Sequence, residues 1–329
     1  MTEEVSKPRK LRPIPFGERP GKEPYNASEV VPLGDSRFLF CDNNVNDAFF
    51  ELRLAPDGSM ACPLVRRPIR GIEPGTIDDM EGLESATLAG RTYLFATSSF
   101  SLKPRKKHHK KKGQRGKLAA DRESVLRLAI DDDEQLVAES IPDFRSWLIE
   151  QAPELTKPAK YLPDDGGLNV EALSWDPNNQ ALLFGLRTPV ADGKPLVVRV
   201  RIKQFDGPWD LSNLEILSPI VLPIETSGRR REGLRAMTYD PANSAVLLTV
   251  GRRIAGSKRR FELYSWDGQQ EGLLKNFRQV RFDRRMRVEG VAHGTITGRG
   301  AVVFVDDRGG YQLLWDDDPR LAVTEQLSW

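Results

Sequence analysis

The chain writes one short phrase five times. "DDMEGLESAT" occupies residues 78–87, "LNVEALSWDP" 168–177 and "MRVEGVAHGT" 286–295. A fourth copy, "GLRAMTYDP" at 233–241, carries Arg235 where the others carry an acid, and the weakest copy begins at Glu29 with "EVVPLG". Each phrase opens an apolar run, passes a turn and meets a second apolar run. The turns "DPNN" and "DPAN" place Pro after Asp with Asn following, as a type I turn prefers.

A third run follows each time: "AFFELRL" (48–54), "SVLRLAI" (124–130), "PLVVRVRI" (195–202), "FELYSW" (261–266) and "YQLLW" (311–315). A fourth is visible as "QLVAES" (135–140), "LEILSPIVLPI" (214–224) and "FRQVRFD" (277–283). These runs are short, β-branched and aromatic, and bounded by Gly, Pro, Asp and Asn. Four strands per unit, repeated about five times, predict an all-β chain folded as a β-propeller. A sixth blade has room in residues 1–25 joined to the C-terminus, or around 142–168. A β-sandwich is the competing arrangement. Residues 142–155 alone read as helix, with Phe144, Trp147, Leu148 and Leu155 near one face, and 142–165 are expected to form an insertion between blades.

With 329 residues and 39% hydrophobic content the chain can bury a sizeable core. Residues 1–25, rich in Pro and charge, are expected to be an extended arm, and 26–329 a single propeller domain. The first twenty residues lack the apolar stretch of a signal peptide. Two cysteines suggest no disulfide framework. A soluble cytoplasmic monomer is the expectation.

The net charge of +2 conceals an asymmetry, because "KPRKKHHKKKGQRGK" (103–117) holds nine basic residues and no acid. The rest of the chain is therefore net negative. That stretch has no aliphatic or aromatic residue, so 103–120 is expected to be a disordered loop. Lys106, Lys107, Lys110, Lys111 and Lys112 would attract polyanions weakly and with strong salt dependence.

In a propeller the first strand of each blade lines the axis. The repeated residues Glu29, Glu81, Glu171, Arg235 and Glu289 would then converge at one mouth of the channel. Asp42, Arg187, Arg252 and Asp306 fall at the ends of second strands nearby, and Asn169 just before Glu171. Crowded carboxylates raise one another's pKa unless a cation sits among them. One solution is a buried network with the arginines. Another is Ca²⁺ held by Glu81, Glu171 and Glu289. The interleaved arginines suit a small ligand bearing carboxylate or phosphate. His293, in a strand expected to face the channel, is the one weak candidate for a general base.

The phrases "DDMEGLE", "NVEALSWDP", "GLRAMTYDP" and "RVEGVA", each with its following strand, resemble the bacterial family known as domain of unknown function 3616 over roughly residues 25–316. The same E-G-L and E-G-V openings resemble, more distantly, the phytase-like esterase and SdiA-regulated propellers. Those relatives imply six blades and, for some, Ca²⁺-dependent phosphoester hydrolysis. Arg235 departs from the phytase pattern, which would have a carboxylate there. The expected function is a non-catalytic binding protein that holds a small anionic ligand or a protein partner at the channel mouth. The alternative is a metal-dependent hydrolase of phosphoesters or lactones.

Overall fold

The structure, a computed structural model, describes residues 10–17, 24–103, 117–131, 133–226, 233–253, 259–323 and 325–327. The chain enters with β1 (Ile14–Pro15). Blade one is β2 (Ala27–Gly34), β3 (Arg37–Asp42), β4 (Val45–Arg53) and β5 (Val65–Arg70). Blade two is β6 (Met80–Leu88), β7 (Arg91–Ser98), β8 (Val125–Ile130) and β9 (Leu136–Ile141). Blade three is β10 (Asn169–Asp176), β11 (Ala181–Thr188), β12 (Leu196–Ile202) and β13 (Leu214–Val221). Blade four is β14 (Leu234–Asp240), β15 (Ala245–Arg253), β16 (Arg259–Trp266) and β17 (Leu274–Asn276). Blade five is β18 (Val288–Ile296), β19 (Arg299–Asp306) and β20 (Gly310–Trp315), and β21 (Glu325–Leu327) comes last.

Each blade is an antiparallel meander. The five first strands β2, β6, β10, β14 and β18 touch in sequence, and β18 returns to β2. This closed ring makes a five-bladed propeller of the described residues, in place of the six blades implied by the phytase-like resemblance. Both ends of the chain seal it. Ile14 pairs with Tyr311, which makes β1 the fourth strand of blade five, and β21 adds a fifth strand to blade four. Of the arm expected over 1–25, residues 10–17 pack on the propeller, with Leu11 and Phe16 buried, and residues 1–9 and 18–23 lie outside the described residues. Blades one and two are stitched at the rim by parallel pairing of Ile69 with Leu136.

Two expectations from sequence shift. The fourth strand of blade four is β17, and 277–283 form the connection after it rather than the strand. The helix α1 (Phe144–Gln151) exists within an insertion of three further 3₁₀ turns, and buries Phe144 and Leu148 between blades two and three. Residues 104–116 of the basic stretch, including Lys106, Lys107, Lys110, Lys111 and Lys112, lie outside the described residues. Lys103 and Lys117 pair antiparallel at its base. Among the described residues no helix is long and apolar enough to cross a membrane.

The repeated phrase now has a physical reading. In every first strand the ladder skips the motif residue, Glu29, Glu81, Glu171, Arg235 or Glu289, and β2 skips Leu33 as well. Each copy of the phrase thus encodes a β-bulge, which re-aims one side chain out of the alternation of the strand. In four of the five copies the next residue is Gly or Ala, where neighbouring inner strands nearly touch, and in the Glu29 copy it is Val30. A Cβ on Gly290 would lie 2.8 Å from the Cα of Glu29, and one on Gly82 2.7 Å from the Cβ of Leu173. The apolar residue after that, Leu83, Leu173, Met237 or Val291, is buried against the ring.

Candidate functional site

Glu171, buried at the start of blade three, accepts from Arg187 Nη1 at 2.7 Å and from Asn169 Nδ2 at 2.6 Å. Its other oxygen meets Arg235 of blade four, and Arg235 also meets Glu289 of blade five. Burial alone would raise the Glu171 carboxyl, but Arg235 and Arg187 outweigh it and hold the group below the usual carboxylate range. Three of the five bulge residues thus form one buried acid–base chain across two blade seams.

Glu81 faces the opposite way, toward blade one, and accepts from Ser28 Oγ at 3.0 Å and Asn43 Nδ2 at 2.7 Å. Lost hydration, with Glu171 and Asp79 nearby, raises its carboxyl well above the ordinary value. Asp79 precedes it in a left-handed conformation, with φ of 57°, uncommon for a residue with a side chain. Its carboxylate takes the Ser99 hydroxyl at 2.5 Å and Arg122 at 2.9 Å. Burial raises it as well, against the pull of Arg122.

Glu29 does not reach the mouth. Its Oε2 accepts the Met237 amide at 3.0 Å and its Oε1 the Val291 amide at 3.3 Å. Glu84, which the repeat reading passed over, does the same one turn of pleat further down, accepting the Tyr239 amide at 2.7 Å. Innermost strands expose backbone donors toward the axis, and buried donors need partners. Burial raises both carboxyls, Glu84 to about 8 and Glu29 well above the ordinary value. The axis is therefore bridged by neutral acids and is not an open channel at that level.

Asp42 and Asp306 were expected at the mouth with the repeated acids, but they are spent on backbone. Asp42 accepts the Asn44 amide at 2.9 Å, and Asp306 the Arg308 amide at 2.9 Å and the Arg287 amide at 2.5 Å. Both brace the entry of a blade, and burial pushes Asp306 up to about 6. The side chain of Arg252 lies outside the described residues.

His293 is at the far end of β18 from Glu289. Its Nδ1 contacts Asp240 Oδ1 at 2.8 Å and its Nε2 contacts Asp316 at 3.0 Å. The hydrogen bond to Asp240, with Asp316 on the other side, raises the imidazole to about 9. Held on both nitrogens, the ring ties blade five to Asp240 at the end of β14 in blade four.

The Ca²⁺ expectation fits the donors poorly. The Arg235 guanidinium occupies the place between Glu171 and Glu289 that a cation would take, and Glu81 is held toward its neutral form. Among the described residues no group of three or more His, Cys, Asp and Glu side chains is arranged to hold a metal. Polar side chains of blades one, two and three keep part of their surface accessible at the mouth. Glu81, Asn43, Asp79, Arg122 and Arg187 reach it half-buried.

Neither a protein-family model nor a curated protein sequence matches the chain. Solved structures do resemble it. The major allergen Mala s 1 of Malassezia sympodialis superposes with a TM-score of 0.47 at 12% identity, over 88% of this chain and 92% of that one. The α-L-arabinofuranosidase of Podospora anserina in complex with cellotriose gives 0.47 at 9% identity, over 95% and 98%. The exo-β-1,3-galactanase of Phanerochaete chrysosporium with β-1,3-galactotriose gives 0.43 at 9%, over 93% and 63%. Likeness at this level says nothing about activity, and the propeller rests on the strand pairing described above.

Proposed function

We propose that the protein is a non-catalytic binding protein whose polar side chains at the axis mouth hold a small ligand bearing a carboxylate or phosphate. The observation that carries this reading is Arg187. One nitrogen of its guanidinium is anchored on buried Glu171, yet the side chain keeps 23% of its surface exposed at the mouth. Beside it burial raises the Glu81 carboxyl well above its ordinary value, which weakens its repulsion of an anion. A guanidinium anchored on a buried carboxylate and partly exposed at the mouth suits a carboxylate or phosphate. Thermal melting in the presence of citrate, inorganic phosphate and short dicarboxylates tests it. A ligand that binds only the folded protein raises the melting temperature with its concentration. That rise should disappear in Arg187→Gln. Stabilisation by no anion, or stabilisation that survives Arg187→Gln, overturns the reading.

A second reading has one observation in its favour. Glu81, held neutral, and Glu171, held ionised, have carboxyls driven apart, as in sites that pair a proton donor with a carboxylate. It predicts metal-independent hydrolysis by proton donation from Glu81. Turnover of a chromogenic ester, phosphoester or glycoside that is abolished in Glu81→Gln would establish it.

A further inference from the structure

The connection from β17 to β18 must run from the outer rim of blade four to the mouth of blade five, since β17 is an outer strand and β18 an innermost one. It reads "FRQVRFDRRMR" over residues 277–287. Its apolar members point into the core: Val280 and Met286 are buried, and Phe277 and Phe282 pack against the same cluster. Arg281, Arg284 and Arg285 are exposed. The arm lies alongside. The Leu11 amide donates to the Arg281 carbonyl at 2.7 Å, and the Asp283 amide donates to the Leu11 carbonyl at 2.7 Å. This pairing sets exposed Lys10 and Arg12 beside the row. Arg278 at the rim pairs with Glu325, and Arg287 at the mouth pairs with Asp307 at 3.2 Å. Asp283 is the one acid within the row, and its Oδ1 accepts the Arg285 amide at 2.9 Å. None of Lys10, Arg12, Arg281, Arg284 and Arg285 makes an ion pair among the described residues.

We propose that this row docks the phosphate backbone of a nucleic-acid duplex. A four-stranded blade is about 14 Å wide at ordinary strand spacing, which matches about four phosphates along one strand. Arginine forks fit phosphate oxygens. The row turns its aromatic rings inward, so the stacking used to hold single strands is missing. Its exposed side chains are mostly charged, and Ile14 of the arm is the one large apolar side chain exposed beside it among the described residues, too little to anchor it in a lipid bilayer.

Anisotropy of a fluorescent duplex, measured between 50 and 200 mM KCl, tests the proposal. The row should contribute about −3.6 to the log–log slope of binding against salt, or about −0.9 for each of four phosphates. Arg281→Ser/Arg284→Ser/Arg285→Ser should reduce that slope by about 2.7 while leaving the melting temperature unchanged. A variant lacking residues 104–116 should keep the share of the slope contributed by the row. An unchanged slope in the triple variant overturns the proposal. So does binding to phosphatidylserine vesicles that is lost in the triple variant when the duplex does not bind.

Discussion

Glu29 of blade one accepts the Met237 amide of blade four across the propeller axis, at 3.0 Å, although the two blades are not neighbours. A carboxyl that crosses the ring is a tie between opposite walls. It sits at a bulge with φ of 28°, a conformation that costs energy for any residue with a side chain. With Glu84 it closes the axis from within, which leaves the mouth above as the place where a ligand can enter.

Removing that tie should be expensive. Glu29→Ala strands the buried Met237 and Val291 amides and is expected to cost about 2–4 kcal/mol in urea unfolding. Glu29→Gln keeps an acceptor and, because burial already holds the native group neutral, should cost no more than about 1.5 kcal/mol. Equal losses from the two changes would mean that Glu29 is ionised in place.

Arg235 compensates two buried acids at once. Arg235→Leu should destabilise by about 3–5 kcal/mol because Glu171 and Glu289 lose their shared partner. Adding Glu171→Gln and Glu289→Gln should recover part of the loss. The pH response should invert. The wild-type carboxylate is held below its ordinary pKa, so the protein loses that contribution as pH falls through the lowered value. The leucine variant should gain stability on acidification, as its unpartnered acids take up protons. Unfolding curves at several acidic pH values would show whether the two slopes differ in sign.

Gly290 has no room for a methyl group. Its Cβ would meet the Glu29 backbone, which cannot swing aside as a side chain would. Gly290→Ala is expected to cost about 1–3 kcal/mol. A melting temperature equal to that of wild type would contradict the close approach of β18 to β2.

Two groups should erode stability as pH rises. His293 has a folded pKa of about 9, above its ordinary value of 6.5, so its contribution is complete below 6.5 and lost as pH rises through 9. Glu84 keeps its proton up to about 8 in the fold but only to 4.5 when unfolded, so stability falls with rising pH between those values. His293→Gln should flatten the upper part of that decline and Glu84→Gln the lower part. Melting temperatures from pH 5 to 9.5 for the three proteins separate the two contributions.

The blade repeat was legible because hydrophobic alternation and the Asp-Pro turns report directly on strands. The bulge was not, since a skipped residue leaves no mark in composition. Glu, small, apolar reads equally well as a regular strand. Glu84 was invisible for a related reason. It lies three residues beyond Glu81 in one copy only, and its partners are backbone amides of a distant blade. The convergence of Glu171, Arg235 and Glu289 follows from their shared place in the repeat. The separate fates of Glu29 and Glu81 follow from which neighbour each bulge faces, a property of the closed ring. Asp42 and Asp306 read as mouth acids by position, yet hairpin geometry gives them amides to bind. His293 shares the strand of Glu289, and four residues of strand carry it to the other face.

Buried glutamates of the innermost strands hold the ring together in two charge states, with Glu29 and Glu84 held toward the neutral form and Glu171 toward the ionised one. Carbon-13 NMR titration of the glutamate carboxyls, assigned through Glu→Gln variants, measures this directly. The account predicts that Glu29 and Glu84 resonate as carboxylic acids at pH 6, that Glu84 titrates near 8, and that Glu171 stays a carboxylate at pH 5. Glu29 and Glu84 found ionised at pH 6, or Glu171 found protonated there, would contradict it.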